Sequence, residues 1–259
     1  FAENKYFVCI TKNGIIKRTR LSEYKNVRKM GLRAITLVDC DEIASAFLTE
    51  GDCTVLIATK KGMAIRFDEN NCRALGRTAR GVRAIRFRDE SDYVVGATKI
   101  FDENASILTV TDKGMGRRVA AASYRIQKRG GLGLHNYPVS EEKGFVCGIR
   151  TLGPDDDVLL ISADGVVIRI RANDLRNMGR PASGVRVMRL GAEDRVASFS
   201  RMMHEEGEET AEVEKTSDEE IAASLAEESA EVIEPDDASD DDTDDGAEEQ
   251  ETTEDAPEE

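Results

Sequence analysis

A fourfold internal repeat constrains the fold of this chain more than any other feature of its sequence. Each repeat has a short apolar run, a two-residue turn that ends in glycine and a second apolar run. The turns are Asn13-Gly14, Lys61-Gly62, Lys113-Gly114 and Asp164-Gly165. Such X-Gly pairs are strong hairpin signals, because glycine accepts the positive φ of a tight turn. The turns recur about every 50 residues, and a strand repeat of that length predicts a radial array of sheet blades.

A second glycine in three of the repeats begins a further predicted strand. The three segments are Gly31-Leu32-Arg33-Ala34-Ile35, Gly81-Val82-Arg83-Ala84-Ile85 and Gly184-Val185-Arg186-Val187-Met188. Apolar and polar residues alternate in them, as on a strand with one buried face. With an acidic turn and one more apolar run, each repeat offers about four strands. We therefore predict an all-β fold of four blades, approximately residues 1–50, 51–103, 104–154 and 155–203.

Charge separates this body from the C-terminal tail. Residues 204–259 hold 27 acidic side chains and one base, Lys215, whereas residues 1–203 hold 35 bases and 24 acids. The tail is too acidic and too poor in aromatic residues to bury a core, so we expect it to be largely disordered. Two hypotheses remain for it. It either keeps the protein solvated, or it acts as a tethered DNA mimic that competes with duplex for the basic body.

Basic residues recur at fixed places in the repeats. Arginines stand four positions after each turn glycine: Arg18, Arg66, Arg118 and Arg169. Others stand two positions after the second glycine: Arg33, Arg83 and Arg186. In the last repeat we expect Ile168 and Ile170 to face the core, and Arg169 and Arg171 to face water. Arginines repeated on every blade predict a positive rim that fits a phosphate backbone, although charged strand faces also serve solubility.

Other classes of function lack their motifs. There is no Walker loop, no G-x-S-x-G elbow, no H-E-x-x-H and no metal-ligand spacing. The five cysteines form no C-x-x-C pair, so we expect buried reduced thiols. No run of about 18 apolar residues is present, so we expect no membrane span, and the sequence gives no support for secretion. Aromatic residues make up 5% and tryptophan is absent, which favours duplex over stacked single strands.

One segment carries a resemblance to a known family. It reads Gln127-Lys128-Arg129-Gly130-Gly131-Leu132-Gly133. This resembles the gyrase A box, a Q-[RK]-R-G-G-[RK]-G motif in the C-terminal DNA-wrapping domain of DNA gyrase A. Six of the seven positions fit, and Leu132 stands where the motif has a second basic residue. Residues 13–24 and 81–86 are also similar to that domain, so the resemblance extends to about Met202.

The resemblance implies a six-bladed β-pinwheel, propeller-like in outline but with strands exchanged between blades. The four repeats are most similar to its last four blades, so two blades and the catalytic half with the DNA-cleaving tyrosine are expected to precede them in the whole protein. The implied function is to bind and wrap duplex DNA as a non-catalytic part of an ATP-dependent type II topoisomerase that introduces negative supercoils. Lys128 and Arg129 would neutralise a phosphate, which the Gly130-Gly131 turn lets approach.

The resemblance also implies partners and a location. Gyrase B and the rest of gyrase A would complete an A2B2 heterotetramer. ATP and magnesium belong to that holoenzyme, and no cofactor is expected in this chain. The implied location is the bacterial cytoplasm, on the nucleoid and away from the membrane.

Three other interpretations stay open at this point. The first is the C-terminal domain of the gyrase-A-like subunit of topoisomerase IV, which serves decatenation. The second is a propeller-like scaffold whose acidic tail recruits a basic protein. The third is an enzyme in its own right, for which the motifs give little support.

Overall fold

The computed structural model describes residues 4–27 and 29–203, which form the predicted all-β fold. The strands in chain order are β1 (Tyr6–Thr11), β2 (Ile15–Arg20), β3 (Ile43–Thr49), β4 (Thr54–Thr59), β5 (Met63–Asp68), β6 (Val82–Arg83), β7 (Val94–Ile100), β8 (Ser106–Thr111), β9 (Met115–Ala120), β10 (Leu134–His135), β11 (Val146–Leu152), β12 (Asp156–Ser162), β13 (Val167–Arg171), β14 (Val185–Arg186) and β15 (Val196–Met203). A short 3₁₀ turn follows the second strand of each repeat: Leu21–Tyr24, Glu69–Asn71, Ala121–Ser123 and Ala172–Asp174. The described part of the chain contains no helix long and apolar enough to cross a membrane. The acidic tail lies outside the described residues.

The strands form four antiparallel sheets, one for each predicted blade. Their orders are β3-β1-β2-β6, β10-β5-β4-β7, β11-β8-β9-β14 and β13-β12-β15. One edge strand of each sheet packs against the next sheet, in the succession β3, β7, β11 and β15. These strands are therefore the inner edges of propeller-like blades, and β6, β10 and β14 are outer edges. The four turn glycines have φ between +77° and +86°, as the hairpin prediction requires.

Strands are exchanged between neighbouring blades. The short strand that follows the second glycine of one repeat completes the sheet of the preceding repeat. Val82 pairs with Ile16, Leu134 with Ala64, and Val185 with Gly116. This exchange is the feature that distinguishes a β-pinwheel from a simple propeller. As a result, each of these three sheets contains a strand from the following repeat.

The apolar core lies between the blades. Alternate residues of β4 point to opposite faces, so Val55 and Ile57 pack towards the first blade while Leu56 and Ala58 pack towards the third. Both faces of a middle blade are therefore buried. This explains why these strands read as nearly continuous apolar runs instead of strict alternation.

The five cysteines are unpaired thiols in the structure. Cys9, Cys53 and Cys72 are buried, as predicted, and burial raises the pKa of Cys9 and of Cys72 to about 11. Cys147 is half-buried, and Cys40 is exposed. The prediction of buried reduced thiols thus holds for all but these two.

Candidate nucleic-acid interface

The arginines four positions after each turn glycine do not form the exposed stripe that the repeat predicts. Arg18 and Arg66 are 6% and 2% exposed, and Arg118 and Arg169 are half-buried. The prediction that these four side chains are exposed is therefore wrong, and nothing in the structure supports the DNA contact that was predicted from it. We leave the four out of the proposed interface.

Three of these arginines instead fasten neighbouring repeats together. Arg66 Nη1 donates to the carbonyl oxygens of Ala121 and Tyr124, at the 3₁₀ turn of the next repeat, at 3.0 and 3.2 Å. Arg18 and Arg118 make the equivalent bonds to the 3₁₀ turns of the repeats that follow them. These carbonyl acceptors offset much of the cost of burying a guanidinium, which has five N–H donors. The shared spacing in the repeats therefore reflects repeat-to-repeat packing.

The fourth of these arginines has a different partner. Arg169 Nε lies 2.8 Å from Asp157 Oδ2, and its side chain is 10% exposed. Ile170 is buried and Arg171 is exposed, as predicted, but Ile168 is only half-buried and Arg169 does not face water. We expected one face of this strand to be exposed to solvent. The expectation is wrong because side chains on both faces of the strand pack against neighbours or form ion pairs.

The second set of predicted arginines is exposed. Arg83 and Arg186 occupy the same register on the outer edges of two blades, opposite Ile15 and Met115. His135 takes that place on the blade between them and is also exposed. The sequence analysis missed this member because the third repeat carries histidine there. Arg33 is exposed too, but its segment forms no strand.

The outer-edge residues belong to four connectors between each 3₁₀ turn and the next acidic turn. The connectors are residues 25–38, 72–88, 124–138 and 175–189. Together they hold 17 of the 36 lysines and arginines and none of the 51 acidic residues. We name them together the basic band. The sequence signal for this band is that every connector lacks acidic residues. We missed it because the sequence analysis considered single arginine positions and not whole connectors.

Hydrogen bonds join consecutive connectors of the basic band. Gly130 N donates to Ala84 O at 2.7 Å, and Arg86 N donates to Gly131 O at 2.9 Å, so the second and third connectors lie side by side. Arg180 Nη1 donates to His135 O at 2.8 Å between the third and fourth. Thr36 Oγ1 donates to Thr78 O at 2.7 Å between the first and second. The bases are thus held along one continuous path.

The box-like segment is part of this path. Gln127 N donates to Arg66 O at 2.8 Å, and the Arg129 guanidinium donates to Arg83 O. The Gly130 N–H donates to Ala84 O, so this N–H is not available to a phosphate. Lys128 is exposed, whereas Arg129 is half-buried. A DNA contact through these two side chains stays a prediction.

Two buried cations position the connectors and were not predicted. Lys17 Nζ donates to Ala34 O at 2.6 Å and to Arg77 O, so it joins the first and second connectors. Arg117 donates to the carbonyl oxygens of Asn136 and Ala182, so it joins the third and fourth. Burial lowers the pKa of both cations. Both stand three positions after a turn glycine, where the other repeats have isoleucine.

Among residues 4–27 and 29–203, no three His, Cys, Asp or Glu side chains are placed to hold a metal ion. The whole sequence has no Walker loop for ATP.

Blades that exchange strands around a common axis define the β-pinwheel class of propeller-like domains. The family model described as "DNA gyrase C-terminal domain, beta-propeller" matches residues 5–50, 54–100, 105–151 and 156–201. The chain therefore belongs to the DNA gyrase C-terminal domain family.

Individual relatives agree with this assignment. The DNA gyrase A protein of Haloquadratum walsbyi is 38% identical over 196 residues, which cover 76% of this chain and 23% of the relative. A solved structure of a DNA gyrase A C-terminal domain matches 78% of this chain and 67% of its own, with TM-score 0.71 and 28% identity. The C-terminal domain of a DNA topoisomerase IV matches 87% of this chain and 67% of its own, with TM-score 0.73 and 26% identity. The chain spans about a quarter of the length of the curated gyrase A proteins that it matches.

Proposed function

We propose that the basic band binds duplex DNA and curves it around the outer edges of the blades. The observation that carries this proposal is the continuous, acid-free path of the connectors. Lysine and arginine along such a path neutralise phosphates and release counterions, which supplies sequence-independent affinity. Nothing in the path resembles a helix that reads base edges, so we expect little sequence preference.

A distributed interface suits the energetics of DNA bending. Smooth bending of 20–30 bp by 40–90° costs roughly 1–6 kcal/mol, because duplex DNA is stiff. One tight contact cannot offset that cost along the whole bend. Contacts at Arg83, His135 and Arg186 recur on successive blades, so each short stretch of duplex gains a contact as it curves.

In the whole protein we propose that wrapping serves a type II topoisomerase. By analogy with the gyrase A relatives, the chain would act with the rest of gyrase A and with gyrase B in an A2B2 assembly, on DNA in the cytoplasm. ATP, magnesium and the cleaving tyrosine would belong to other parts of that assembly. The wrapped segment would then be presented for strand passage that introduces negative supercoils.

A second candidate is the corresponding role in topoisomerase IV. The structural match to a topoisomerase IV C-terminal domain is as close as the match to a gyrase domain. The identity to gyrase A sequences, 38% for one of them, favours the gyrase role.

A topology assay tests the proposal. Closed circular DNA is relaxed with the chain bound, the protein is removed and the linking difference is read. We expect a trapped difference of constant sign that shrinks when Lys128 and Arg129 are both replaced by alanine. DNA binding without a linking difference would favour simple bridging over wrapping, and no binding at all would favour the protein scaffold.

Salt dependence gives a prediction for named residues. Arg80 and Arg83 are exposed bases of the second connector. If the band neutralises about 6–10 phosphates, affinity should fall roughly 10³–10⁵-fold between 50 and 200 mM salt. The Arg80→Gln, Arg83→Gln double variant should reduce the slope of log affinity against log salt by about 2, since each lost phosphate contact removes about 0.9. Filter binding of a 40 bp duplex over a salt series measures this.

Lys113→Gln is the matched control, because Lys113 is exposed but lies in a hairpin turn outside the basic band. It should leave the slope unchanged. An equal loss in both variants would mean that the whole positive surface, and not the band, binds DNA.

The acidic tail gives a further prediction. Its 27 acids beside the basic body favour competition with duplex, although the tail lies outside the described residues. Deleting residues 204–259 should tighten DNA binding at fixed salt, with the largest gain at low salt, where screening is weakest. Unchanged affinity at 50 mM salt would leave the tail a solvating segment.

A further inference from the structure

A cavity of about 530 Å³ lies at the strand ends of the second and third blades that point away from their hairpin turns. This volume is within the range of about 300–1,000 Å³ that is typical of small-molecule sites. The cations among the described residues that line it are Lys99, Arg118, Arg150 and Arg201. Asp102 is the acid in that lining, and Arg201 already pairs with Asp156 at 2.8 Å. The cavity therefore has an excess of positive charge.

Arg118 differs from the other arginines of its repeated set, because it has no carboxylate partner among residues 4–27 and 29–203. The other three are paired: Arg18 with Glu69, Arg66 with Glu103 and Arg169 with Asp157. Arg118 Nε donates to Ser106 Oγ at 2.7 Å and Nη1 donates to Ala172 O at 2.6 Å, whereas Nη2 has no partner in the described part of the chain. Burial lowers the pKa of Arg118, and no neighbouring carboxylate opposes that shift.

The second repeat shows how an anion can bind at this position of a blade. The Glu103 carboxylate lies in the loop 101–105 after β7, and its two oxygens accept from Arg66 Nη2 at 2.5 Å and from Nη1 at 2.9 Å. The corresponding loop after β11 is residues 153–155, of which only the glycine and the proline line the cavity. A bound anion would therefore take the place beside Arg118 that Glu103 takes beside Arg66.

Two further cations of the cavity also lack a carboxylate. Lys99 Nζ donates to Leu48 O at 3.0 Å, and Arg150 Nη1 donates to Ile149 O at 2.7 Å. Neither forms an ion pair with any residue that the structure describes. Like charges around a half-buried cavity repel one another, and a bound anion removes that repulsion.

We propose that this cavity binds a small anion with two or more linked phosphates, held by Arg118, Arg150 and Lys99. Guanidinium and ammonium groups are the usual protein ligands of phosphate, and three of them match a diphosphate better than a single carboxylate. The ring of Phe101 lines the same cavity and is 56% exposed, so it could stack on the base of a nucleotide. None of the three cations belongs to the basic band, so the proposal does not depend on the DNA-binding role.

Calorimetric titration of the full chain with pyrophosphate at 50 mM salt tests the site. Lys99→Gln should weaken binding at least about tenfold, because it removes a charged hydrogen-bond donor from the anion. Lys113→Gln is the control, since Lys113 is exposed and does not line the cavity, and it should bind like the wild type. Absence of saturable binding, or equal losses in the two variants, would overturn the proposal.

A second pair of variants changes only the charge at one position of the cavity wall. Pro154 is exposed and lines the cavity, so Pro154→Glu would bring in a carboxylate as the second repeat does with Glu103. It should bind pyrophosphate at least about tenfold more weakly than Pro154→Gln, because like charges repel. Since the two variants have the same size, a change in folding caused by the loss of proline affects both. Equal affinities would contradict the site.

Parallel titrations identify the source of the phosphates. Tighter binding of ADP than of pyrophosphate would assign the site to a nucleotide, and equal or weaker binding of ADP would assign it to free pyrophosphate. Saturating 40 bp duplex should leave pyrophosphate binding unchanged. Displacement of pyrophosphate by duplex would mean that the cavity holds a DNA phosphate, and equal affinity for inorganic phosphate would mean that linked phosphates are not required. Either result would overturn the proposal.

Discussion

Replacing Glu69 with alanine should lower the free energy of unfolding by about 3–5 kcal/mol, which is the usual cost of leaving a buried charge without its partner. Glu69 is 1% exposed and lies at the junction of the first two repeats. Its carboxylate accepts hydrogen bonds from Thr49 Oγ1 at 2.5 Å and from Gly51 N and Cys53 N at 3.1 Å. It also lies 3.7 Å from Arg18 Nε. Alanine would leave the buried guanidinium without this charge and the three donors without an acceptor.

Urea unfolding of the full chain measures the loss, and Glu103→Ala is the control. Glu103 pairs with Arg66 as Glu69 pairs with Arg18, but the side chain of Glu103 is 58% exposed. Water can reach the place of the Glu103 carboxylate, so its removal should cost less than the removal of Glu69, even though Arg66 itself is buried. If both variants lost the same free energy of unfolding, the burial of Glu69 would not be the reason for its contribution to stability.

Replacing Gly133 with alanine should cost about 3 kcal/mol, from roughly 1–2 kcal/mol of backbone strain and about 1 kcal/mol for each weakened strand hydrogen bond. Gly133 has φ +76°, and an added Cβ would overlap the carbonyl oxygen of Ala64 on β5. The overlap would push β10 away from the blade that it completes. Gly133 is therefore required by the strand exchange, whatever its part in binding DNA.

Gly130→Ala separates strain from overlap within the same box-like segment. Gly130 has φ +81°, but the nearest atom to an added Cβ would be Arg83 O at 3.6 Å. This variant should lose only the strain, about 1–2 kcal/mol. If Gly133→Ala and Gly130→Ala had the same urea unfolding midpoint, an overlap between the added Cβ at residue 133 and the carbonyl of Ala64 would be contradicted.

The sequence alone predicted the hairpins and the number of blades, because both depend on local signals. An X-Gly turn between apolar runs has few structural solutions, and the four turn glycines all take the expected positive φ. The exchange of strands could not be inferred from spacing. A second glycine followed by alternating residues predicts a strand but not the sheet that it joins, and only the resemblance implied the answer.

The exposure of the candidate site residues was predicted in part. Arg83 and Arg186 lie on exposed outer edges as expected, but Arg18 and Arg66 are buried. A regular spacing cannot distinguish a repeated surface contact from a repeated packing contact, because each blade meets both solvent and the next blade at fixed positions. The absence of acids from the connectors is the signal on which the proposed interface depends, because carboxylates near a path of bases would repel phosphates, whereas a buried arginine tolerates them.

The offset between repeat and blade has a consequence for any attempt to shorten or lengthen this domain. A chain cut at residue 103 ends at a sequence repeat boundary, yet it removes β10 and leaves the second sheet with three strands. A cut after residue 138 keeps that sheet whole. A complete four-stranded sheet therefore contains strands from two consecutive repeats. When a repeat is inserted or deleted, each remaining sheet keeps all four strands only if the next repeat still supplies its outer strand.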